Sequence, residues 1–177
     1  MKPSFYLSLS FAFISQFCLI NAQSKKQLYF TYDSIKPKLT MIKSSESDKM
    51  AKWIKLKMTP EPKAITTPLC YQYYVASPSL EYPGQVNKKA FFKKWRVLQD
   101  LTRLPDCHPF EIGNGGCLKS FVKNIKYLGS YLTESYFSVT IYCDNNTKDV
   151  NKLILGIVVA NGNYLIDKII NQEKITL

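Results

Sequence analysis

The sequence predicts an α+β fold: a curved antiparallel sheet, two helices packed on one of its faces, and two disulfides. Three observations predict it. Alternating patterns typical of strands close the chain, two segments with helical spacing precede them, and four cysteines follow residue 22. The chain has 177 residues, 46% hydrophobic and 14% aromatic, which favours one folded domain over a disordered segment.

The early part of the chain is rich in aromatic and β-branched residues, which favour strands. Residues 27–33 and 38–43 are expected to pair across the connection Ser34-Ile35-Lys36-Pro37. Residues 69–76 are predicted to form a strand that carries Cys70, followed by a loop over 77–86.

The stretch between these segments is compatible with two structures. Residues 53–58 alternate like a strand, and we expect a strand from Trp53 onward. The alternative is a helix that begins near Ser45, because several apolar and basic residues then share one helical face: Met50, Trp53, Ile54 and Lys57.

Two helices are predicted next. Apolar residues recur at helical spacing over 88–102, and Pro105 follows that segment. The same spacing predicts a helix over 118–128, with Gly129 at the position of a C-terminal cap.

Three strands are predicted to end the chain as a meander. Residues 136–143 alternate strictly, and residues 153–160 are almost continuously apolar, as in a strand covered on both faces. Asn161-Gly162 is a strong hairpin signal that connects this strand to a last one over 164–170.

The first residues predict a secretory signal peptide over 1–22. Met1-Lys2 gives a positive start, an apolar run follows, and the small residue Ala22 precedes a polar one. A membrane anchor is the alternative, but serines interrupt the run, which is shorter than a spanning helix. We therefore expect an extracellular protein with a single α+β domain over 23–177.

Four cysteines would remain in the secreted chain, and an even number in an oxidising compartment predicts two disulfides. Three pairings are possible. The glycine-rich segment 113–116 favours Cys107–Cys117, which leaves Cys70–Cys143. A zinc site is the alternative, but there is no CxxC pair and only one histidine, so no metal is expected.

The formal net charge is +11, and nearly all the basic residues are lysines. Nucleic-acid recognition favours arginine, so no nucleic-acid partner is expected. One basic cluster stands out on the first predicted helix: Lys88, Lys89, Lys93, Lys94 and Arg96. Such clusters bind polyanions, which here would be an anionic glycan or a membrane surface, whereas the alternative is an ordinary solvated helix face.

No catalytic constellation is evident. The single histidine, His108, adjoins a cysteine that is expected to be oxidised, and the acidic residues near it show no paired spacing for acid–base chemistry: Asp100, Asp106, Glu111 and Glu134. No cofactor is expected. Asn145, in the sequon Asn145-Asn146-Thr147, is expected to carry a glycan.

The last third of the chain, residues 110–170, resembles the secreted NTF2-like or cystatin-like α+β domains. The resemblance is carried by Phe110, the segment 117–122 on a helix, the strand 136–140 and two further strands. It implies a cone-shaped apolar pocket and no particular chemistry. The glutamine-valine-glycine loop of cystatin inhibitors is absent, so protease inhibition is not implied.

Taken together, these observations predict a secreted, disulfide-stabilised binding protein without catalytic activity. The alternative is a secreted enzyme or an apolar small-ligand carrier that uses the internal pocket.

Overall fold

The computed structural model describes residues 29–57, 62–77, 87–103, 120–143 and 150–173. Helices occupy the N-terminal part of these ranges: α1 (Tyr32–Ile35), α2 (Ser44–Leu56), α3 (Pro62–Ile65), α4 (Pro68–Ala76) and α5 (Lys88–Trp95), with a 3₁₀ turn at Lys36–Lys38. Strands occupy the C-terminal part: β1 (Ser120–Tyr131), β2 (Glu134–Cys143), β3 (Val150–Ala160) and β4 (Asn163–Asn171). The predicted α+β class and antiparallel sheet are confirmed.

The sheet is a four-stranded antiparallel meander in which each strand pairs with the next along the chain. The three predicted C-terminal strands are therefore correct. The turn between β3 and β4 has Asn161 at φ 51° and Gly162 at φ 76°, the left-handed pair that a two-residue hairpin requires.

The predicted helix over 118–128 is wrong where it can be compared, because residues 120–128 belong to β1. Register shifts interrupt the pairing of β1 with β2 between Val122 and Asn124 and between Tyr127 and Gly129. An extra residue in a strand changes the phase of its alternation. Val122 and Ile125 consequently pack against the same core despite being three residues apart, a spacing that imitates a helix.

The predicted strands 27–33 and 38–43 are also wrong within the described residues. Tyr32 begins α1, and its ring packs against that of Tyr136 with the centroids 6.0 Å apart. Of the second segment, only Thr40 makes a bridge, to Ser130 of β1. Contacts with the distant sheet thus decide the conformation of this segment.

The expected strand from Trp53 and the expected strand 69–76 are helical instead. The first lies in α2, so the alternative helix is the correct one. The second is α4, whose start has a recognisable cause. The Thr67 side chain accepts a hydrogen bond from the Cys70 backbone N–H, and Pro68 occupies the first helical position.

Helices pack on both faces of the sheet, which corrects the expectation of two helices on one face. On the first face, side chains of α2, α3 and α4 join sheet residues in the largest buried cluster: Met50, Ile54, Ile65, Cys70, Phe137, Val139, Ile141, Leu153, Leu155, Ile157, Ile166 and Ile169. On the second face, Tyr32 and Ile35 of α1 pack on Tyr136, Ile154 and Ile170.

Both outer strands of the sheet make additional backbone contacts. Beside β4, Thr66 forms a parallel bridge with Ile166 and the N–H of Thr67 donates to the Ile166 carbonyl at 2.9 Å. Beside β1, Thr40 and Ser130 exchange backbone hydrogen bonds. These contacts shorten the open edges on which another strand could pair. No helix in the described ranges is long and apolar enough to cross a membrane.

Candidate functional site: a basic helix and the polar clusters beneath it

The predicted basic segment forms α5, which ends at Trp95 rather than near residue 102. After Trp95 the chain turns, and the N–H groups of Leu98 and Gln99 both donate to the Trp95 carbonyl, at 2.9 and 2.8 Å. This turn directs Asp100 into a buried polar network, so a tertiary contact ends the helix that local spacing would continue.

The apolar side of α5 is anchored. Phe91 and Trp95 are buried and pack with Tyr73 of α4, with ring centroids 6.3 and 5.3 Å from that of Tyr73. Asn87 begins the helix, since its side-chain oxygen accepts from the N–H of Ala90 at 3.1 Å. The opposite side of α5 is therefore presented to solvent on a fixed support.

All five residues of the predicted cluster are exposed, but the helix does not bring all of them to one side. Lys89, Lys93 and Arg96 follow one another at i, i+4 and i+7, which places them in a single row about 10 Å long. We call this row the basic stripe. Lys88 and Lys94 lie on either side of the buried face, away from the stripe.

Two of the cations rest on aromatic rings. The Nζ of Lys94 lies 4.5 Å from the ring centroid of Trp95, and the guanidinium carbon of Arg96 lies 4.8 Å from that of Tyr29. Such contacts restrict a flexible side chain without neutralising its charge. Among the described residues, none of the five cations forms an ion pair.

The lysines of α5 are not all placed where they stabilise the helix. Lys93 and Lys94 in the last turn complement the helix dipole, but Lys88 and Lys89 occupy the first turn, where the dipole disfavours cations. The first turn contains no acidic residue. The basic cluster therefore persists despite a local electrostatic cost.

Several predicted site residues lie outside the described residues, namely Cys107, Cys117 and Asn145, as does the proposed signal peptide 1–22. Cys143 ends β2, but its side chain also lies outside the description. Cys70 is fully buried, and within the described residues its sulfur is not bonded to another cysteine. The pairing of the four cysteines therefore stays a prediction.

A second feature was missed by sequence reasoning. Lys168 of β4 lies between two carboxylates: its Nζ contacts Glu134 Oε1 closely and Asp167 Oδ2 at 3.0 Å. The hydroxyl of Tyr136 donates to Glu134, and the hydroxyl of Thr67 donates to Asp167 at 2.7 Å. We call these five residues the acid–lysine cluster. The available signal was the charged pair Asp167-Lys168 inside the otherwise apolar segment 164–170.

The surroundings shift the pKa values of the two carboxyls in opposite directions. Burial raises the pKa of Glu134, although Lys168 opposes that effect. Burial also acts to raise the pKa of Asp167, but Lys168 and the hydrogen bond from Thr67 outweigh it, so this pKa is lowered. Paired carboxyls with separated pKa values can serve as acid and base. Here, however, the lysine and both hydroxyls already satisfy them within the cluster.

Other groups in or beside the acid–lysine cluster are also buried in surroundings of low polarity. Burial, followed by the charge of Asp167, raises the pKa of the Cys70 thiol to about 12. Burial and the adjacent Glu134 carboxylate raise the pKa of Tyr136. Gln99, only 2% exposed, donates to the Asp167 carbonyl at 3.4 Å. When Cys70 is reduced, its thiol is therefore protonated at neutral pH and unsuited to nucleophilic attack.

A third group of polar residues surrounds Arg103, and we call it the Arg103 network. The guanidinium donates to Asp100 Oδ2 at 3.3 Å, to Asp33 Oδ1 at 2.9 Å and to the Gln172 carbonyl at 2.9 Å. Asp100 also accepts from the backbone N–H groups of Tyr32 at 2.8 Å and Thr102 at 3.1 Å. The network joins the segment after α5 to α1 and to Gln172, which directly follows β4, so its role is to fix the support of the basic helix.

A half-open cavity of about 290 Å³ lies beside the β3–β4 turn. Its lining combines aromatic, aliphatic and polar side chains: Trp53, Lys57, Ala64, Ile65, Ala160, Asn161, Asn163, Tyr164 and Leu165. The volume lies just below the range of about 300–1,000 Å³ that is typical of ligand pockets. Within the described ranges, no group of three or more His, Cys, Asp or Glu side chains is placed to hold a metal ion.

Comparisons with protein-family models, with curated proteins and with solved structures found no match to this chain.

Proposed function

We propose that this chain is a secreted binding protein without catalytic activity, which engages an anionic extracellular partner through α5. The observation that carries the proposal is the basic stripe: Lys89, Lys93 and Arg96 in one exposed row on an anchored helix. A linear polyanion such as a sulfated glycan has a charge spacing that a row of cations can follow.

Three properties of α5 support this proposal over a solvated helix face. Its cations form no ion pair among the described residues, so their charges are available to an external anion. Its first turn contains lysines that the helix dipole disfavours. Its apolar side is fixed by Tyr73, which lowers the entropy lost when a partner binds.

Heparin chromatography at several salt concentrations tests the proposal. The triple variant Lys89→Gln, Lys93→Gln, Arg96→Gln removes the stripe, and glutamine preserves helix propensity. We expect the slope of log affinity against log salt to fall by about two to three, since each neutralised anionic group of a nucleic acid contributes about 0.7–0.9 to that slope and a sulfated glycan is a comparable polyanion.

A matched control separates the stripe from total charge. Lys52, Lys126 and Lys152 are exposed on three different elements, and their replacement by glutamine removes the same net charge. This control should elute close to the parent protein. If both triple variants elute together, α5 is only a solvated face and the proposal fails.

The secretory part of the proposal includes removal of residues 1–22, the disulfides Cys107–Cys117 and Cys70–Cys143, and a glycan on Asn145. Mass spectrometry of unreduced peptides from secreted protein tests all three. A linked peptide that joins Cys70 to Cys107 or to Cys117 would exclude the proposed connectivity. The NTF2-like or cystatin-like resemblance of residues 110–170 also stays a proposal.

A second candidate is a carrier of a small apolar ligand, and the cavity beside the β3–β4 turn favours it. Trp53 lines this cavity, and its ring meets that of Tyr164 edge-on at 5.9 Å. A bound apolar ligand should change the fluorescence of Trp53. Titration with a hydrophobic dye tests this, with Trp53→Phe as the variant in which the signal should disappear. An enzyme is favoured less, because the acid–lysine cluster satisfies its own hydrogen bonds.

A further inference from the structure

Two turns of the sheet lie at one end of the molecule. β2 begins just after the β1–β2 turn, and Ser135 of β2 pairs with Ile157 of β3, three residues before β3 ends. The β1–β2 turn and the β3–β4 turn therefore lie at the same end of the sheet, where β2 and β3 run side by side about 5 Å apart in the pairing direction. We call this edge the hairpin end.

The hairpin end exposes large apolar side chains on its turns. Leu132, at the tip of the β1–β2 turn, is 85% exposed, and Val159, near the β3–β4 turn, is 55% exposed. Met41 is also exposed, and its neighbour Thr40 is bridged to Ser130 beside the first turn.

Leu132 is unfavourable for folding on two counts. Its φ of 54° lies in the left-handed region, which suits glycine or asparagine and strains a branched side chain. Its exposed side chain also contributes little burial to the core. Strained residues of this kind persist where they serve another purpose, and an apolar side chain at a tip suits an apolar environment outside the protein.

The charged residues at the hairpin end indicate which apolar environment suits Leu132. The acidic residue next to the β1–β2 turn, Glu134 at the start of β2, has a side chain only 13% exposed and is paired with Lys168, so it offers little free charge at this end. Lys38 lies over the ring of Tyr131, next to Leu132, with its Nζ 5.7 Å from the centroid. Lys57 lines the cavity beside Asn161. Apolar tips bordered by lysines match a membrane with anionic headgroups, where the tip enters the acyl region and the ammonium groups stay among the phosphates.

We infer that the hairpin end is a membrane-docking surface that inserts Leu132 into a bilayer containing anionic lipid. A protein partner would be expected to meet a broader, continuous apolar face, whereas here each turn also exposes a polar residue, Thr133 in one and Asn161 in the other. This surface is carried by the sheet turns and not by α5, so the inference does not rest on the proposed glycan site.

The test is co-sedimentation of the full chain with vesicles of phosphatidylcholine, with and without phosphatidylserine. Leu132→Asn should reduce the partition onto anionic vesicles about tenfold or more, as expected for the loss of one inserted leucine. Because asparagine tolerates the left-handed conformation, the melting temperature should be unchanged or higher. Lost binding would then not reflect lost folding.

Val75→Asn is the matched control, because Val75 is 59% exposed but lies on α4. It should partition like the parent protein, and Leu132→Asn should elute from heparin like the parent protein. The inference is overturned if Leu132→Asn binds vesicles as well as the parent protein does, or if the parent protein binds neither vesicle. It is also overturned if sedimentation velocity shows a parent dimer that Leu132→Asn dissociates, since the tip would then bind a second copy.

Discussion

The Arg103 network contains two aspartates that differ in burial, and the buried one also accepts hydrogen bonds from two backbone N–H groups. These differences set the expected effect of the same substitution at each position. The side chain of Asp100 is 1% exposed and that of Asp33 is 50% exposed, yet both contact the guanidinium of Arg103. Aspartate to asparagine removes the same charge at either position and changes the shape very little. The two variants therefore compare a buried and an exposed partner of one arginine.

We expect Asp100→Asn to lower the free energy of unfolding by about 3–5 kcal/mol, the usual cost of removing one partner from a buried ion pair. The contacts of Asp100 explain the size of this loss of stability. Asp100 accepts from two backbone N–H groups, from the Thr102 hydroxyl and from Arg103, all of them donors. An asparagine amide must turn its own NH₂ towards at least one of these donors, leaving buried groups unpaired.

For Asp33→Asn, the expected loss is only about 0–1 kcal/mol, because water screens an exposed pair and replaces the lost contact. Urea denaturation followed by tryptophan fluorescence measures both values, and the melting temperatures should differ by roughly 4–20 °C. Equal midpoints for the two variants at equal m-values would refute the reasoning, because neither the burial of Asp100 nor the donors around it would then decide the energetics of this network.

Two further predictions concern the sheet. Gly162→Ala should lower the free energy of unfolding by about 1–2 kcal/mol, since only the positive φ of Gly162 opposes a side chain. Gly129→Ala should lower it more, because an added Cβ would lie 2.7 Å from the Cβ of Leu39, and equal losses of stability in thermal denaturation would contradict this. The stability of the parent protein should fall as the pH rises above about 10, because Tyr136 ionises there only in the unfolded chain, its folded pKa being raised first by burial and then by Glu134. Melting temperatures between pH 9 and 11 should fall less steeply for Tyr136→Phe, and parallel curves for the two proteins would show that Tyr136 is not the cause.

The acid–lysine cluster shows why part of the candidate chemistry was not visible in the sequence. Glu134 and Lys168 are separated by 34 positions and meet only because β2, β3 and β4 pair in one register. The Thr67 hydroxyl, 100 positions from Asp167, completes the cluster from the start of α4. Sequence spacing reports neighbours along a helix or strand, whereas these contacts depend on how distant elements pack.

Sequence patterns correctly predicted the elements that depend on interactions between residues close together in the chain. The alternation over 136–143, the Asn161-Gly162 turn and the basic cluster of α5 follow from side-chain periodicity and backbone preference within a few residues. Tertiary structure decided the rest. Register shifts converted an apparent helix into β1, packing on Tyr136 folded the expected strand at Tyr32 into α1, and Asp100 ended α5 early. Burial of side chains against distant elements contributes more free energy than the small conformational preferences that sequence patterns report.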